Sequence, residues 1–93
     1  STLASMYNAL GQQKKCEEAY YHYIKRVEMF YGANSAESSN CYFMLGIYYV
    51  ENMFLDKALL CYQKCIRIRK QLNALEGIAD CQYNIGIIYR KKN

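Results

Sequence analysis

Residues 42–49, YFMLGIYY, and residues 82–89, QYNIGIIY, are two versions of one segment. Leu45-Gly46 superposes on Ile85-Gly86 and Tyr49 on Tyr89, at an offset of 40 residues. A second pair is interleaved with the first. Residues 17–27, EEAYYHYIKRV, match residues 56–66, DKALLCYQKCI, at an offset of 39. There Ala19 falls on Ala58, Tyr23 on Tyr62 and Val27 on Ile66. Two segment types that alternate and each recur after about 40 residues describe a repeat of two elements.

Both elements read as helices. Leu45, Tyr48, Tyr49 and Asn52 follow the i, i+3, i+4, i+7 rule, as do Ala58, Cys61, Tyr62, Cys65, Ile66 and Ile68, and each run is too long for a strand. The 93 residues contain no Pro and only 5 Gly. A sandwich or barrel of short strands needs turn residues far more often than that. The expected joints are Gly32-Ala33-Asn34-Ser35, Asn52 and Asn73. Asn34 or Ser35 suits an N-cap, Asn34 stands at capping-box distance from Glu37, and Asn52 and Asn73 suit left-handed helix ends. Five helices are predicted, over about 2–11, 14–30, 36–51, 55–72 and 75–91, with short connections making neighbours antiparallel. Gly46 and Gly86 fall in mid-helix, where Gly costs about 1 kcal/mol against Ala. Their recurrence predicts a close approach by a bulky group. Ala19 and Ala58 suggest the matching close contact, with Tyr23 and Tyr62 filling the space between helices.

Composition bounds the function. Hydrophobic residues make up 53% and 11 residues are Tyr, so disorder is not expected. No run is long enough to span a membrane, and the first ten residues lack the basic start of a signal peptide. The chain starts at Ser and stops inside a patterned segment, which reads as a piece of something longer. Net charge is +4; charges in residues 1–46 cancel, so the excess lies in 47–93. Lys64, Arg67, Arg69 and Lys70 form one basic cluster and Arg90, Lys91 and Lys92 another. Either could meet nucleic acid, but both sit where helices should end, and solvated cations favoured by the helix dipole are the expected use. Five Cys without a CxxC form no disulfide framework. Cys61 and Cys65 share a helix face, yet a zinc site needs more ligands and the single histidine, His22, is remote. Core packing in a reducing compartment, with no metal and no cofactor, is the expectation. No phosphate loop, paired carboxylates or nucleophile–base constellation surrounds His22, Glu18 and Arg26, so no catalytic residues are expected.

Together these residues resemble the tetratricopeptide repeat. In that family the first helix of a unit carries Leu-Gly followed three residues later by Tyr, matched by Leu45-Gly46 and Tyr49 and by Ile85-Gly86 and Tyr89. The second carries Ala followed four later by an aromatic, matched by Ala58 and Tyr62 and by Ala19 and Tyr23. Met6-Tyr7 stands where the first unit should have Leu-Gly, and Cys65 where the family has a small Ala. The unit of about 40 residues and the missing Pro resemble the long repeats of kinesin light chains and of receptor-independent G-protein regulators, as does the connector Tyr31-Gly32-Ala33-Asn34-Ser35. The resemblance implies an all-α fold of antiparallel helix pairs stacked as a right-handed solenoid, one domain over 1–93 with about two and a half repeats (units about 1–34, 35–74 and 75–93).

It further implies a non-enzymatic scaffold whose concave groove receives a peptide segment or helix of a protein partner, in a cytoplasmic, cytoskeletal or ciliary setting. The groove positions would be Asn40, Phe43, Ile47, Val50, Asp80, Tyr83, Asn84, Ile87 and Arg90. Asn84 could bond a peptide amide, Tyr83 and Phe43 offer rigid apolar area, and Arg90 with Lys91 could meet acidic side chains. The family's clamp for a terminal carboxylate is not visible, because Phe43, Ile47, Tyr83 and Ile87 occupy its surface. RNA binding and self-association through end helices are the alternatives; membrane binding is not expected.

Overall fold

The computed structural model describes residues 2–93, and the side chains of all of these except Thr2, Ser5, Met6, Tyr7 and Asn8. The described residues form four α-helices and no strand: α1 (Thr2–Tyr31), α2 (Ala36–Glu51), α3 (Leu55–Gln71) and α4 (Leu75–Lys92). Each packs on its neighbour in sequence, α2 on α3 most extensively. The pairs run antiparallel: Tyr49 near Glu17, Ser39 near Arg69, Lys92 near Asp56. The result is a flat layer, 51 × 35 × 13 Å.

The second, third and fourth helices lie where the periodicity predicts them. The first does not. The expected break at residues 12–13 is absent, and the two helices predicted over 2–11 and 14–30 are one continuous helix of 30 residues. Gly11 has no accompanying cap or Pro, and the Gln12-Gln13-Lys14-Lys15 that follows consists of good helix formers. A single Gly costs a helix only about 1 kcal/mol. The expected first unit therefore lacks its own hairpin. The Met6-Tyr7 comparison lies outside the described side chains.

The turns refine the expected caps. The Ser35 side chain accepts from the Ser38 amide at 3.0 Å, so Ser35 is the N-cap and the Asn34–Glu37 box does not form. Asn52 keeps an ordinary φ of −99°, and the left-handed residue is Met53, at φ 63°. Asn73, as expected, is left-handed at φ 56°. Both turns close identically. The amides of Met53 and Phe54 bond the carbonyls of Val50 and Tyr49; those of Asn73 and Ala74 bond Lys70 and Arg69. This double closure satisfies the last carbonyls of α2 and α3 and overrides the strain of a left-handed Met.

The core lies between α2 and α3. Leu45, Tyr49, Ala58, Tyr62 and Cys65 are almost wholly buried there, with Phe43 edge-on to Tyr62 at 5.6 Å between ring centres. Gly46 has the close neighbour its position predicts. A Cβ there would lie 2.8 Å from Tyr62 Cζ and 2.9 Å from Cε1. Gly86 differs: nothing stands within 4 Å of a Cβ added there. The remaining repeat residues divide the same way. Ala19, Tyr23 and Tyr89 are exposed and Ile85 only half-buried, because no helix faces them; the expectation that Tyr23 fills an interhelical space fails for that reason.

Candidate partner-binding surface

The nine predicted groove residues lie on α2 and α4, the two helices flanking α3. Asn40, Ile47, Asp80, Tyr83 and Arg90 are exposed, with Tyr83 at 68%; Phe43, Val50, Asn84 and Ile87 are half-buried. Three of the nine already have internal partners. Asn84 donates one amide N–H to the Asp80 carbonyl at 2.8 Å within α4, which leaves its second N–H and its Oδ1 for a ligand. Asn40 Oδ1 accepts from Arg69 at 3.0 Å. Phe43 is held between Tyr62 and the Arg69 guanidinium, 4.9 Å from its ring centre. Tyr83, Ile47, Asp80, Ile87 and Arg90 have no such restraint among the described contacts.

The recorded cavities lie elsewhere. A cavity of about 300 Å³ opens between α1 and α2, lined by Cys16, Ala19, Tyr20, Tyr23, Ile24, Cys41 and Met44. A second follows the α1 face from Ala19 through Tyr23 and Arg26 to Tyr31. A third lies between α1, α2 and α3 around Tyr21, Tyr49, Lys57 and Leu60. None of the nine groove residues lines any of these three.

The feature that sequence reading missed is Arg69. It belongs to the 64–70 cluster expected on a solvated face, yet it is only 8% exposed. Its Nε donates to Ser39 Oγ at 3.2 Å and one terminal nitrogen to Asn40, both on α2. The other donates to the Gly77 carbonyl at 2.7 Å and to Cys81 Sγ at 3.4 Å, both on α4. One side chain of α3 thus ties three helices together. A Cβ on Gly77 would lie 2.8 Å from Arg69 Cδ, so the glycine makes room for the arginine. The apolar stripe Ala58, Tyr62, Cys65 runs directly into position 69, and that continuation was the available signal. Of the same cluster, Lys64 covers the Tyr42 ring at 4.6 Å, while Arg67 and Lys70 are exposed as expected. Of the four cations only Arg69 is withdrawn from solvent; Lys64, Arg67 and Lys70 are all exposed.

All five cysteines are free; Cys16 is exposed and the other four are buried. Among the described residues no group of three or more His, Cys, Asp or Glu converges as a metal site would. Cys65 donates to the Ser39 carbonyl at 3.2 Å, and its thiol is also a hydrogen-bonding neighbour of Cys81. That hydrogen bond and the Arg69 guanidinium bring Cys81 down from 9.0 to about 7, against the effect of burial. No carboxylate pairs with Arg69 among its described partners, and the Cys81 sulfur is the one titratable group that it bonds. Other groups shift upward. The bond to Cys81 and then burial raise Cys65, and burial raises Cys61 to about 11 and Tyr62 to about 12. Burial and hydrogen bonds with Tyr21 and Glu17 raise Tyr49.

The sign of each contribution follows by linkage. The lowered Cys81 contributes stability that is complete above pH 9 and lost as pH falls through 7. The raised Cys61 and Tyr62 contribute stability that is complete below their unfolded values, 9.0 and 10.0, and lost as pH rises through 11 and 12. A Tm that climbs from pH 7 to 9 and falls above it is expected. Cys81→Ser should remove the climb and leave the fall, as read by circular dichroism melts at each pH.

His22, Glu18 and Arg26 are all exposed on α1, one turn apart. No helix among the described residues is long and apolar enough to cross a membrane. Comparison with family models, with curated proteins and with solved structures finds no match for this chain.

Proposed function

We propose that the chain is a non-enzymatic protein-interaction module, a tetratricopeptide-type array of long units that binds a peptide segment or helix of a partner along α2 and α4. The observation that carries this reading is the contrast on α4. Its inner face, with Cys81 and Ile88, is wholly buried on the rest of the chain, while Tyr83 on the same helix is left in solvent beside Asp80, Ile87 and Arg90. An aromatic held out from a rigid support, with an acid and a base within a turn or two, is the make-up of a recognition surface. It loses little entropy on binding, because its helix is already ordered. The residues free of internal bonds carry the contact: Tyr83, Ile47, Ile87, Asp80 and Arg90. Asn84 contributes its Oδ1 and the N–H not bonded to Asp80. A cytoskeletal or ciliary setting rests on the repeat unit of about 40 residues and the Tyr31–Ser35 connector.

The test is peptide selection from a displayed random library on the immobilised chain. Selected peptides should share a motif and bind Tyr83→Ala at least tenfold more weakly, with the Tm unchanged. Failure to enrich any peptide, or enrichment of peptides indifferent to Tyr83, Ile47 and Arg90, would count against this surface.

A further inference from the structure

The repeat register leaves two faces open, and they are the two halves of one contact. Within the chain, α2 and α3 meet where Gly46 receives the Tyr62 ring and Ala58 is fully buried. On α4 the counterpart of Gly46 is Gly86, a hollow with nothing within 4 Å. On α1 the counterparts of Ala58 and Tyr62 are Ala19 and Tyr23, a small residue and a projecting ring that is 54% exposed. Tyr23 lies at the rim of the cavity of about 300 Å³ beside α2. That cavity stands where a hairpin partner of α1 would pack, and it is open because residues 2–11 run straight on in α1. One helix therefore has a hole without a knob, and another a knob without a hole.

We propose that two copies of the chain associate head to tail, with the Gly86 face of α4 in one copy seated on the Ala19–Tyr23 face of α1 in the next. Tyr23 then covers Gly86 as Tyr62 covers Gly46.

Charge agrees with this register. Cys65 reaches the Ser39 carbonyl, and their counterparts are Arg26 and Ala79, so Arg26 comes opposite Asp80. Lys57 lies over the Tyr49 ring, and their counterparts are Glu18 and Tyr89, so Glu18 comes beside the Arg90–Lys92 end of α4. Base meets acid at one end of the antiparallel pair and acid meets base at the other. Tyr89, half exposed in the single chain, becomes covered as Tyr49 is. The two faces differ, so the contact is heterologous, and each added copy presents the same two faces again. On α4, Tyr83 and Arg90 stand three and four residues from Gly86 on the same face, so this contact would cover part of the surface proposed for a peptide, and sedimentation without any peptide tests it apart from that reading.

Sedimentation of the 93-residue chain over a wide concentration range is the test. The weight-average mass should rise beyond that of a dimer. Gly86→Leu fills the hollow and Tyr23→Ala removes the knob; each should weaken association tenfold or more. Neither should lower the melting temperature of the single chain, since Gly86 faces open space and Tyr23 is half exposed. An equimolar mixture of the two variants retains one good α1 face and one good α4 face, so it should form a heterodimer and stop there. A wild-type chain that stays monomeric overturns the proposal. So does a mixture that remains monomeric, or an association that neither variant reduces.

Discussion

Gly46→Leu is expected to break the α2–α3 pair, with a loss of about 3–4 kcal/mol. Even the first carbon of the new side chain would stand 2.8 Å from the Tyr62 ring. That ring cannot swing away, because it is fully buried and packed edge-on against Phe43. The helices would have to separate along the face that holds Leu45, Tyr49 and Ala58. Gly46→Ala isolates the steric effect. Its gain in helix propensity of about 1 kcal/mol should be outweighed by the clash, giving a lower Tm. Gly86→Ala, the same change one repeat later, should do the opposite. With nothing near its Cβ, the propensity gain is uncompensated, and Tm should rise by about 4–8 °C for about 1 kcal/mol at this chain length. Thermal melts at low protein concentration measure both. A Gly46→Ala chain as stable as Gly86→Ala would refute the α2–α3 register.

Arg69→Ala is expected to cost about 3–4 kcal/mol, out of the roughly 5–10 kcal/mol that holds a domain of this size together. The change leaves the Ser39 hydroxyl, the Gly77 carbonyl and the Cys81 thiol without their shared donor, and it opens a void beneath Phe43. The loss should be concentrated in α4, whose first turn is fastened through Gly77. Hydrogen exchange should show the amides of residues 78–82 losing protection before those of α2. Arg69→Lys should recover little of it. An ammonium group is a point donor and cannot reach Ser39, Asn40 and Gly77 at once as the planar guanidinium does. Equal destabilisation of α2 and α4, or full rescue by Lys, would contradict the bridging role.

Much of the fold was legible because the two segment types repeat. Leu45-Gly46…Tyr49 and Ala58…Tyr62 pair with each other in space as their spacing predicts, and the bounds of α2 agree with the periodicity. The division of α1 at residues 12–13 does not occur, although Gly11 stands beside it. Nothing in residues 12–15 opposes continuation, and a local helix persists unless a partner rewards folding back. The exposed state of Tyr23, Gly86 and Tyr89 was misread for a related reason. A motif residue is buried only if the opposing helix is present, and a repeat signature says nothing of that. The charge of Arg69 predicts a surface cation, whereas its place at the end of the Ala58, Tyr62, Cys65 stripe puts it inside.

Helix type, helix number in the second half, the antiparallel order and the hollow at Gly46 were determined by the sequence alone. Each depends on neighbours within one helical turn or one hairpin, where periodicity translates directly into geometry. Only the tertiary structure decided that α1 is continuous, that a guanidinium sits between three helices, and that one glycine hollow is filled while its repeat is empty. Those outcomes depend on which surfaces meet across more than one hairpin. There burial, desolvation and shape are shared among helices that no single spacing connects.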